Sequence, residues 1–315
     1  MPGLQVALMS ALRLTDKYGR VVDRFRLSVT QRCNQACVFC HREGILKFEE
    51  ESLTPEDYGF LAKVASRFSI KKHKLTGGEP LLRDDVVDIV RELRRFSDEV
   101  TLSTNGSLLK HKVRALLDAG LSRVNISLHS LREDVFAYIA KAPLKPVLEG
   151  FEEALDAGLK VKVNFVVMNV NAGEVNSLLD FAVSRGVSVN LIELVPLGVP
   201  APLYAREHVD ISEIEKVVEG RACRKYVSSF QNRPTYVLDN GTEVTLIRGY
   251  DNPHLCAGCT RLRLTPSGKF KVCIFREDTY IDASRAIKNR DEHSLSKVLR
   301  KVTLLREPYF HYRVG

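Results

Sequence analysis

The sequence predicts an α/β fold: a partial (β/α)6 TIM-like barrel with a C-terminal extension. Six short β-rich segments alternate with amphipathic helical segments, and this alternation stops after about residue 200. Strands that alternate with helices form a parallel sheet with right-handed crossovers, which readily curls into a barrel. We therefore divide the chain into a barrel, residues 1–200, and an extension, residues 201–315, that covers the barrel opening.

The predicted elements of the barrel follow one another regularly. The strands are residues 25–30, 73–76, 100–103, 124–128, 160–167 and 187–194. The helices are residues 55–67, 84–95, 110–119, 146–157 and 173–185, where apolar residues recur at helical spacing. Thr54 followed by Asp57 is a helix start signal, and Gly120, Gly158 and Gly186 stand where helices end. Ligands of such barrels bind at the carboxyl ends of the strands.

The extension has a different pattern. Residues 211–219 are predicted to be helical. Residues 236–248 are predicted to form a hairpin that turns at Asn240-Gly241. Residues 261–265 and 269–274 are predicted to form a second hairpin around Pro266-Ser267-Gly268. The extension is therefore expected to contain antiparallel pairs rather than further βα units.

The composition is that of an ordinary globular protein. Of the 315 residues, 44% are hydrophobic and 27% are charged. No apolar run approaches the ~20 residues that span a bilayer, and we see no signal peptide, so we expect a cytoplasmic protein without a membrane partner. The net charge of +8 fits a phosphorylated ligand, a nucleic acid or simply a solvated basic surface.

Six of the seven cysteines fall into two tight groups, which indicates metal binding rather than disulfides in a reducing compartment. The isolated Cys223 is expected to be a small half-buried hydrophobe. The first group, Cys33-x3-Cys37-x2-Cys40, follows the first strand, and three thiolates leave one iron of a four-iron cluster open. A zinc site with a distant fourth ligand is the alternative, with His41 adjacent, although zinc ligands usually pair as Cys-x2-Cys.

The first group resembles the signature of the radical SAM superfamily. The segment CNQACVFC matches its CxxxCxxC pattern, and TGGEP at residues 76–80 matches the GGE motif that follows the second strand. The resemblance implies a [4Fe–4S] cluster held by the three cysteines, with S-adenosylmethionine (SAM) bound to the open iron. It also implies SAM contacts from Phe39, Gly77, Gly78, Glu79, Ser127 and Val195.

The second group, Cys256-x2-Cys259-x13-Cys273, lies in the extension, and a zinc site completed by His254 is its alternative. The stretch CAGCTRLRLTPSGKFKVCIF resembles the C-terminal motif of the GTP 3′,8-cyclase family. Earlier parts of the chain also match segments of that family, in the family's order: DRFRLSVTQRCN, STNG, RVNISL, VKVNFVVM and NLIEL. The resemblance implies a second [4Fe–4S] cluster in a cluster-binding extension, with the purine of GTP at its open iron.

The same resemblance implies a set of GTP-binding residues: Arg26, Lys74, Ser103, Lys162, Arg261, Leu262 and Arg263. This set is physically reasonable because several of its cations lie on strands predicted to be buried, where a cation needs an anionic partner. Arg261 and Arg263 alternate on a strand and so face one side. The sequence departs from the family at Lys74 and Asn190, where arginine is common, and at Val314, where a glycine is usual.

The resemblance implies a lyase that converts GTP to (8S)-3′,8-cyclo-7,8-dihydroguanosine 5′-triphosphate, the first step of molybdenum cofactor biosynthesis. The implied partners are a flavodoxin- or ferredoxin-type reductant, a downstream cyclic pyranopterin monophosphate synthase and a second copy in a homodimer. One alternative is a radical SAM peptide or protein maturase, which would lack the RLRLT run and the clustered cations. Another is a zinc-stabilised nucleic-acid-binding protein. The chain has no tryptophan and no basic stripe with interleaved aromatics, so we expect no nucleic acid partner.

Overall fold

The computed structural model describes residues 13–308, and one twelve-stranded sheet forms the frame of this part of the chain. Its centre is a run of six parallel strands, each hydrogen-bonded to the next: β1 Arg24–Thr30, β2 Lys72–Gly77, β3 Glu99–Thr104, β4 Arg123–Ser127, β5 Val161–Val167 and β6 Ser188–Glu193. All six lie at their predicted positions, so the α/β fold with a partial (β/α)6 TIM-like barrel is confirmed.

The helices of the barrel region are α1 Pro55–Ser66, α2 Val86–Arg94, α3 Val113–Asp118, α4 Glu133–Ala140, α5 Lys145–Asp156 and α6 Val175–Arg185. Thr54 and Asp57 form the predicted capping box at the start of α1. Gly120, Gly158 and Gly186 have φ angles of 92°, 77° and 63°, as expected for residues that end helices. Helix α4 was not predicted, although its first turn is acidic and one side is apolar.

The two faces of the barrel sheet have opposite character. Outward-facing residues such as Phe25, Leu27 and Leu75 are apolar and buried in the main core, which lies between the sheet and the helices. The alternate positions on β1, β2 and β4 carry Arg26, Lys74 and Asn125 and face inward. The interior of a typical TIM barrel is filled by branched apolar side chains. This interior is polar and holds a cavity.

The extension adds helices α7 Ala201–Glu207, α8 Ile211–Glu219, α9 Pro253–Ala257, α10 Ser284–Lys288 and α11 Glu292–Leu304. Its strands are β7 Ala222–Ser228, β8 Arg233–Leu238, β9 Glu243–Ile247, β10 Arg261–Leu264, β11 Lys269–Lys271 and β12 Ile281–Asp282. Strand β9 pairs in parallel with β6, and β10 pairs in parallel with β1. The extension therefore lengthens both edges of the barrel sheet. The division at residue 200 and the cover over the opening stay predictions.

Both predicted hairpins of the extension are present, as β8–β9 and β10–β11, and the predicted helix is α8. The β8–β9 loop has three residues rather than two, because the amide of Leu238 donates to the carbonyl of Thr242. Strands β7 and β12 and helices α7, α9, α10 and α11 were not predicted. Within residues 13–308, no helix has the length and apolar character needed to cross a membrane. The expectation for Val314 falls outside the described residues.

Candidate active site

A cavity of about 660 Å³ lies inside the barrel. Cysteines from both groups line it, although more than 200 residues separate the groups in the chain. We call them the first triad, which is Cys33, Cys37 and Cys40, and the second triad, which is Cys256, Cys259 and Cys273. The structure therefore brings the two predicted cluster sites to one chamber.

The first triad lies on a loop that backbone hydrogen bonds hold in place. The amides of Ala36 and Val38 donate to carbonyls at the end of α4, at 3.2 and 2.9 Å. Burial, together with the other two thiols of the triad, raises the pKa of Cys37 to about 12. This effect indicates that the three thiols lie near one another, as the ligands of one metal centre must.

The TGGEP loop packs directly against the segment that precedes Cys33. The amides of Gly78 and Glu79 donate to the carbonyls of Thr30 and Arg32, at 2.8 and 2.7 Å. A Cβ atom on Gly78 would overlap the carbonyl of Arg32, so this approach of two backbones requires glycine. The glycine motif therefore shapes the loop that carries the first triad.

The side chain of Glu79 is not among the groups that line the cavity. Its carboxylate is fully buried and accepts hydrogen bonds from the hydroxyl of Thr104 at 2.7 Å and from the amides of Asn105 and Leu81 at 2.6 and 3.0 Å. Burial raises the pKa of Glu79, and these donors oppose the rise. This side chain ties the TGGEP loop to the end of β3, and its contact with SAM stays a prediction.

The other residues implied for SAM all line the cavity: Phe39, Gly77, Gly78, Ser127 and Val195. The Phe39 ring packs edge-on against His129, with ring centroids 4.7 Å apart. Burial lowers the pKa of His129 to about 3, and its Nδ1 accepts a hydrogen bond from the amide of Val166 at 3.1 Å. A neutral, fixed imidazole therefore sets the orientation of Phe39. Contact of these residues with SAM stays a prediction.

Arginine side chains hold the second triad. Cys256 lies on α9, Cys259 follows that helix, and the last cysteine follows β11. Arg20 donates to the carbonyl of Cys256 at 2.8 Å, and Arg306 donates to the carbonyl of Cys259. The buried carboxylate of Asp16 pairs with both arginines, at 2.8 and 3.5 Å. Residues from near both ends of the described chain thus fix this loop.

The surroundings of the second triad are cationic. Burial alone would raise the pKa of Cys259, but Arg261, Arg306 and Arg20 outweigh burial and lower it. Burial raises the pKa of Cys256 to about 11, and Arg20 opposes that rise only weakly. Positive charge therefore concentrates beside Cys259, which suits an anion bound near this triad.

One pair of the predicted GTP-binding cations already has an anionic partner. Arg26 and Arg263 lie opposite each other on β1 and β10, and both donate to the carboxylate of Glu43. The Nε atom of Arg26 and the Nη1 atom of Arg263 are each 2.7 Å from that carboxylate. For this pair, Glu43 already supplies the anionic partner that buried cations need.

Besides the exposed Arg42, four other cations of the cavity have no carboxylate within 4 Å in the part of the chain that the structure describes: Lys74, Lys162, Arg233 and Arg261. Burial and neighbouring cations lower the pKa of Lys162 to about 8 and hold that of Lys74 well below its usual range. Burial lowers the pKa of Arg233 to about 9. Buried cations without a balancing negative charge are costly, so the cavity favours an anionic ligand.

Ser103 also lines the cavity, but Leu262 does not. Leu262 is fully buried in the main core, on the opposite face of β10 from its neighbouring arginines, so its side chain cannot contact a ligand there. Arg123 and Arg233 line the cavity and were missed. The RVNISL run contains Arg123 and could have revealed it. Nothing in the sequence near Arg233 signals its place.

The turn between β7 and β8 encloses one side of the cavity. Phe230 in this turn packs against Arg24, Arg233 and Arg261, whose guanidinium carbons lie 4.0, 4.6 and 5.0 Å from the ring centroid. The amide of Gln231 in the same turn donates to the second cysteine loop at 2.8 Å. The far edge of the sheet thus reaches back to β1 and β10.

The donor sets fit two iron–sulfur clusters. All six cysteines are free, and three thiols per site are the ligands that a cluster with one open iron needs. Among residues 13–308, no three His, Cys, Asp or Glu side chains converge on the position of a single metal ion. The Nδ1 of His41 accepts from the amide of Glu43 at 3.1 Å, so a local turn uses this candidate zinc ligand. The first and second triads would each hold one cluster.

Two family matches divide the chain. Residues 27–182 match the family described as Radical SAM superfamily, and residues 187–312 match the family described as Molybdenum Cofactor Synthesis C. A probable GTP 3′,8-cyclase of Saccharolobus solfataricus is 40% identical over 310 residues, which cover 96% of this chain and 100% of that protein. A probable GTP 3′,8-cyclase of Thermococcus kodakarensis is 39% identical over 305 residues, which cover 94% and 99%.

Solved structures share the fold at much lower identity. Streptococcus suis SuiB bound to S-adenosylmethionine has a TM-score of 0.67 and 14% identity, with 90% of this chain and 69% of that chain covered. For anSMEcpe with bound AdoMet the TM-score is 0.60 and the identity 16%, with 82% and 76% covered. This likeness concerns the fold alone.

A partial barrel with a cysteine triad after β1, and a second triad at the same cavity, defines a radical SAM enzyme with an auxiliary cluster. Its cofactors are SAM and [4Fe–4S] clusters. The chain belongs to the GTP 3′,8-cyclase family, the radical SAM cyclases of molybdenum cofactor biosynthesis.

Proposed function

We propose that this enzyme converts GTP to (8S)-3′,8-cyclo-7,8-dihydroguanosine 5′-triphosphate, as the first step of molybdenum cofactor biosynthesis. One observation carries the proposal: both triads and the four cations without carboxylate partners line the same cavity. A nucleoside triphosphate supplies the negative charge that these cations lack. The relatives named probable GTP 3′,8-cyclase support the choice of GTP.

When bound, SAM and the first cluster supply a 5′-deoxyadenosyl radical that takes a hydrogen atom from the substrate. The residues of the chain determine which atom is within reach. The four cations without carboxylate partners would bind the triphosphate, and the second triad would hold the purine through its cluster. The ribose then lies between the two triads, and this positioning favours reaction at its C3′ atom. The enclosure around Phe230 limits water.

The proposed reaction also defines what else the enzyme needs. Loss of one hydrogen atom from C3′, followed by bond formation to C8, leaves the purine one electron and one proton short of the product. A reductant must therefore deliver that electron, and we propose the flavodoxin or ferredoxin type. The product would pass to a cyclic pyranopterin monophosphate synthase. The homodimer remains part of the same proposal.

The decisive assay uses the anaerobically reconstituted full chain with SAM, dithionite and GTP. We expect 5′-deoxyadenosine and the cyclised nucleotide to form together, and ATP to give no cyclised product. Formation of 5′-deoxyadenosine without consumption of GTP would contradict the proposal and favour the maturase alternative. Iron and sulfide analysis of the same sample should show about four of each per triad, and zinc at either triad would contradict the cluster assignment.

A further inference from the structure

We propose that Glu43 is a positioning residue for the substrate, which fixes the orientation of Arg26 and Arg263 and couples the first triad to the second. The inference rests on the proposed function, because the two arginines are taken to contact GTP. Glu43 matched no motif in the sequence, and its place becomes evident only when the barrel and the extension are folded together.

The Glu43 carboxylate balances the charges of two opposed arginines. Arg26 and Arg263 occupy directly opposite positions in the parallel pairing of β1 and β10. Like charges in such positions repel, and burial strengthens the repulsion. The Glu43 carboxylate lies between them, accepting from Nε and Nη2 of Arg26 and from Nη1 of Arg263. Burial would raise the pKa of Glu43, but Arg26 and Arg263 outweigh burial and hold it well below its usual range, so the bridge stays ionised.

The same carboxylate fixes the orientation of the Arg26 guanidinium. Arg26 donates to Glu43 through one edge of its guanidinium, the edge formed by Nε and Nη2. The hydroxyl of Thr76 donates to the same carboxylate at 2.9 Å and accepts from Arg26 at 3.1 Å. Two-point contacts of this kind fix a planar guanidinium in one orientation. The remaining donors of Arg26 are therefore held in a defined direction before any ligand arrives.

The turn that carries Glu43 connects the surroundings of the two triads. Glu43 lies three residues after Cys40, in a turn whose residues Arg42, Glu43 and Gly44 all have positive φ angles. A Cβ atom on Gly44 would overlap the carbonyl of Ile274, the residue after Cys273. The hydroxyl of Tyr280 and the ammonium of Lys271 donate to the carbonyl of Gly44. The turn that carries Glu43 therefore packs against the segment that carries the last cysteine of the second triad.

The direction in which the KM for GTP changes distinguishes positioning by Glu43 from simple screening of charge. Removal of the Glu43 charge makes the cavity more positive, which by itself attracts a polyphosphate more strongly. It also leaves two opposed guanidiniums without the group that orients them, which weakens contacts that depend on direction. If Glu43 positions the two arginines, removal of its charge should raise the KM for GTP. If Glu43 only screens charge, the same change should lower that KM.

The test is Glu43→Gln in the reconstituted holoenzyme. We expect the KM for GTP to rise by roughly tenfold or more, because a charged hydrogen-bonded bridge is lost. The KM for SAM, the rate of SAM cleavage without GTP and the iron content should stay unchanged. Glu43→Asp keeps the charge with a shorter reach, and its KM for GTP should lie between those of the wild type and Glu43→Gln.

The matched control is Glu51→Gln. Glu51 also accepts from an arginine and a threonine hydroxyl beside the first triad, Arg32 and Thr30, but within the described residues it bonds to no group of the extension. Its KM for GTP should change by no more than about twofold, as for an exposed ion pair.

Three results would overturn the inference. An unchanged or lower KM for GTP in Glu43→Gln would make Glu43 a screen of charge. A joint loss of iron content and SAM cleavage would give it a purely structural role. An equal rise of the KM for GTP in Glu51→Gln would show that the effect is not specific to Glu43. Failure of the wild type itself to cyclise GTP is a different result, which contradicts the proposed function instead.

Discussion

The first and second triads are held in place by different means. The first lies on a short loop fixed by backbone amides and carbonyls, and the neighbouring Gly78 has no side chain because two backbones meet there. The second is fixed by Arg20 and Arg306, whose side chains reach the carbonyls of its loop from distant parts of the chain. The first site therefore depends on close backbone contacts, one of which requires glycine, whereas the second depends on long arginine side chains.

The two triads also differ in electrostatics. Around the first triad, burial and neighbouring thiols raise the pKa of Cys37 to about 12. Around the second, Arg261 and other arginines outweigh burial and lower the pKa of Cys259. We therefore expect the anionic substrate to bind at the cationic end of the cavity, and SAM, whose own groups would bind the open iron, to bind at the less cationic end.

The sharpest way to test this division of roles is to remove one cysteine from each triad. Cys37→Ala should abolish both 5′-deoxyadenosine formation and GTP cyclisation, because the first cluster loses a ligand. Cys273→Ala should abolish cyclisation but retain 5′-deoxyadenosine formation. Both products are measured by chromatography of the same anaerobic reaction.

Cys223→Ala is the control for these variants, since the Cys223 thiol faces the carbonyl of Val237 and lies outside the residues that line the cavity. Both of its activities should match the wild type. If Cys273→Ala lost SAM cleavage as completely as Cys37→Ala, the two triads would not have separate roles.

A methyl group placed at the backbone contact should disturb the first triad selectively. Gly78→Ala puts a Cβ atom where the Arg32 carbonyl lies, so the loop before Cys33 must shift. We expect SAM cleavage to fall on the order of a hundredfold, as displacements of about 1 Å at reacting groups do. The electron paramagnetic resonance signal of the second cluster should persist.

Gly173→Ala is the matched control for Gly78→Ala, because nothing lies within 4 Å of its added Cβ atom and its φ is not in the left-handed region. SAM cleavage equal to the wild type in both variants would show that the close approach at Gly78 has no role in positioning the first triad.

Loss of an arginine should disturb the second triad selectively. Arg306→Met removes the donor to the Cys259 carbonyl and leaves Asp16 with one partner fewer, at a cost of about 1–3 kcal/mol in the free energy of unfolding. We expect lower occupancy of the second cluster and normal SAM cleavage. Arg300→Met, an exposed change on the same helix, α11, should alter neither. Equal loss of both clusters in Arg306→Met would contradict separate positioning.

The same difference explains what sequence alone revealed. The first triad, the glycine loop and the strand order could be predicted because each leaves a recognisable pattern in a short stretch of the sequence. Arg233, Glu43 and Arg306 could not, since their partners are set by the pairing of β10 with β1 and by the return of the β7–β8 turn. The hydrogen bonds of Glu79 could not be predicted for a similar reason, because some of its partners lie at the end of another strand.

The smallest expected effect is a pH dependence of kcat/KM for GTP, which tests the cationic end of the cavity. Burial and the nearby Arg123 and Arg233 lower the pKa of Lys162 to about 8 in the free protein. Below that pH the ammonium is charged and attracts the triphosphate, and as pH rises through it the charge is lost. The value of kcat/KM for GTP should therefore fall by about tenfold at most per pH unit above pKa, while the KM for SAM stays level.

Two lysine variants decide whether Lys162 causes that fall. Lys162→Arg remains charged throughout this range and should flatten the profile for GTP, even if contacts are weaker at every pH. Lys160→Arg, an exposed change on the same segment, should keep the wild-type slope. A slope that persists in Lys162→Arg would assign the titration to another group of the cavity, of which Arg233 is next, because burial lowers its pKa to about 9. The electrostatic half of the comparison would then rest on β8 rather than β5.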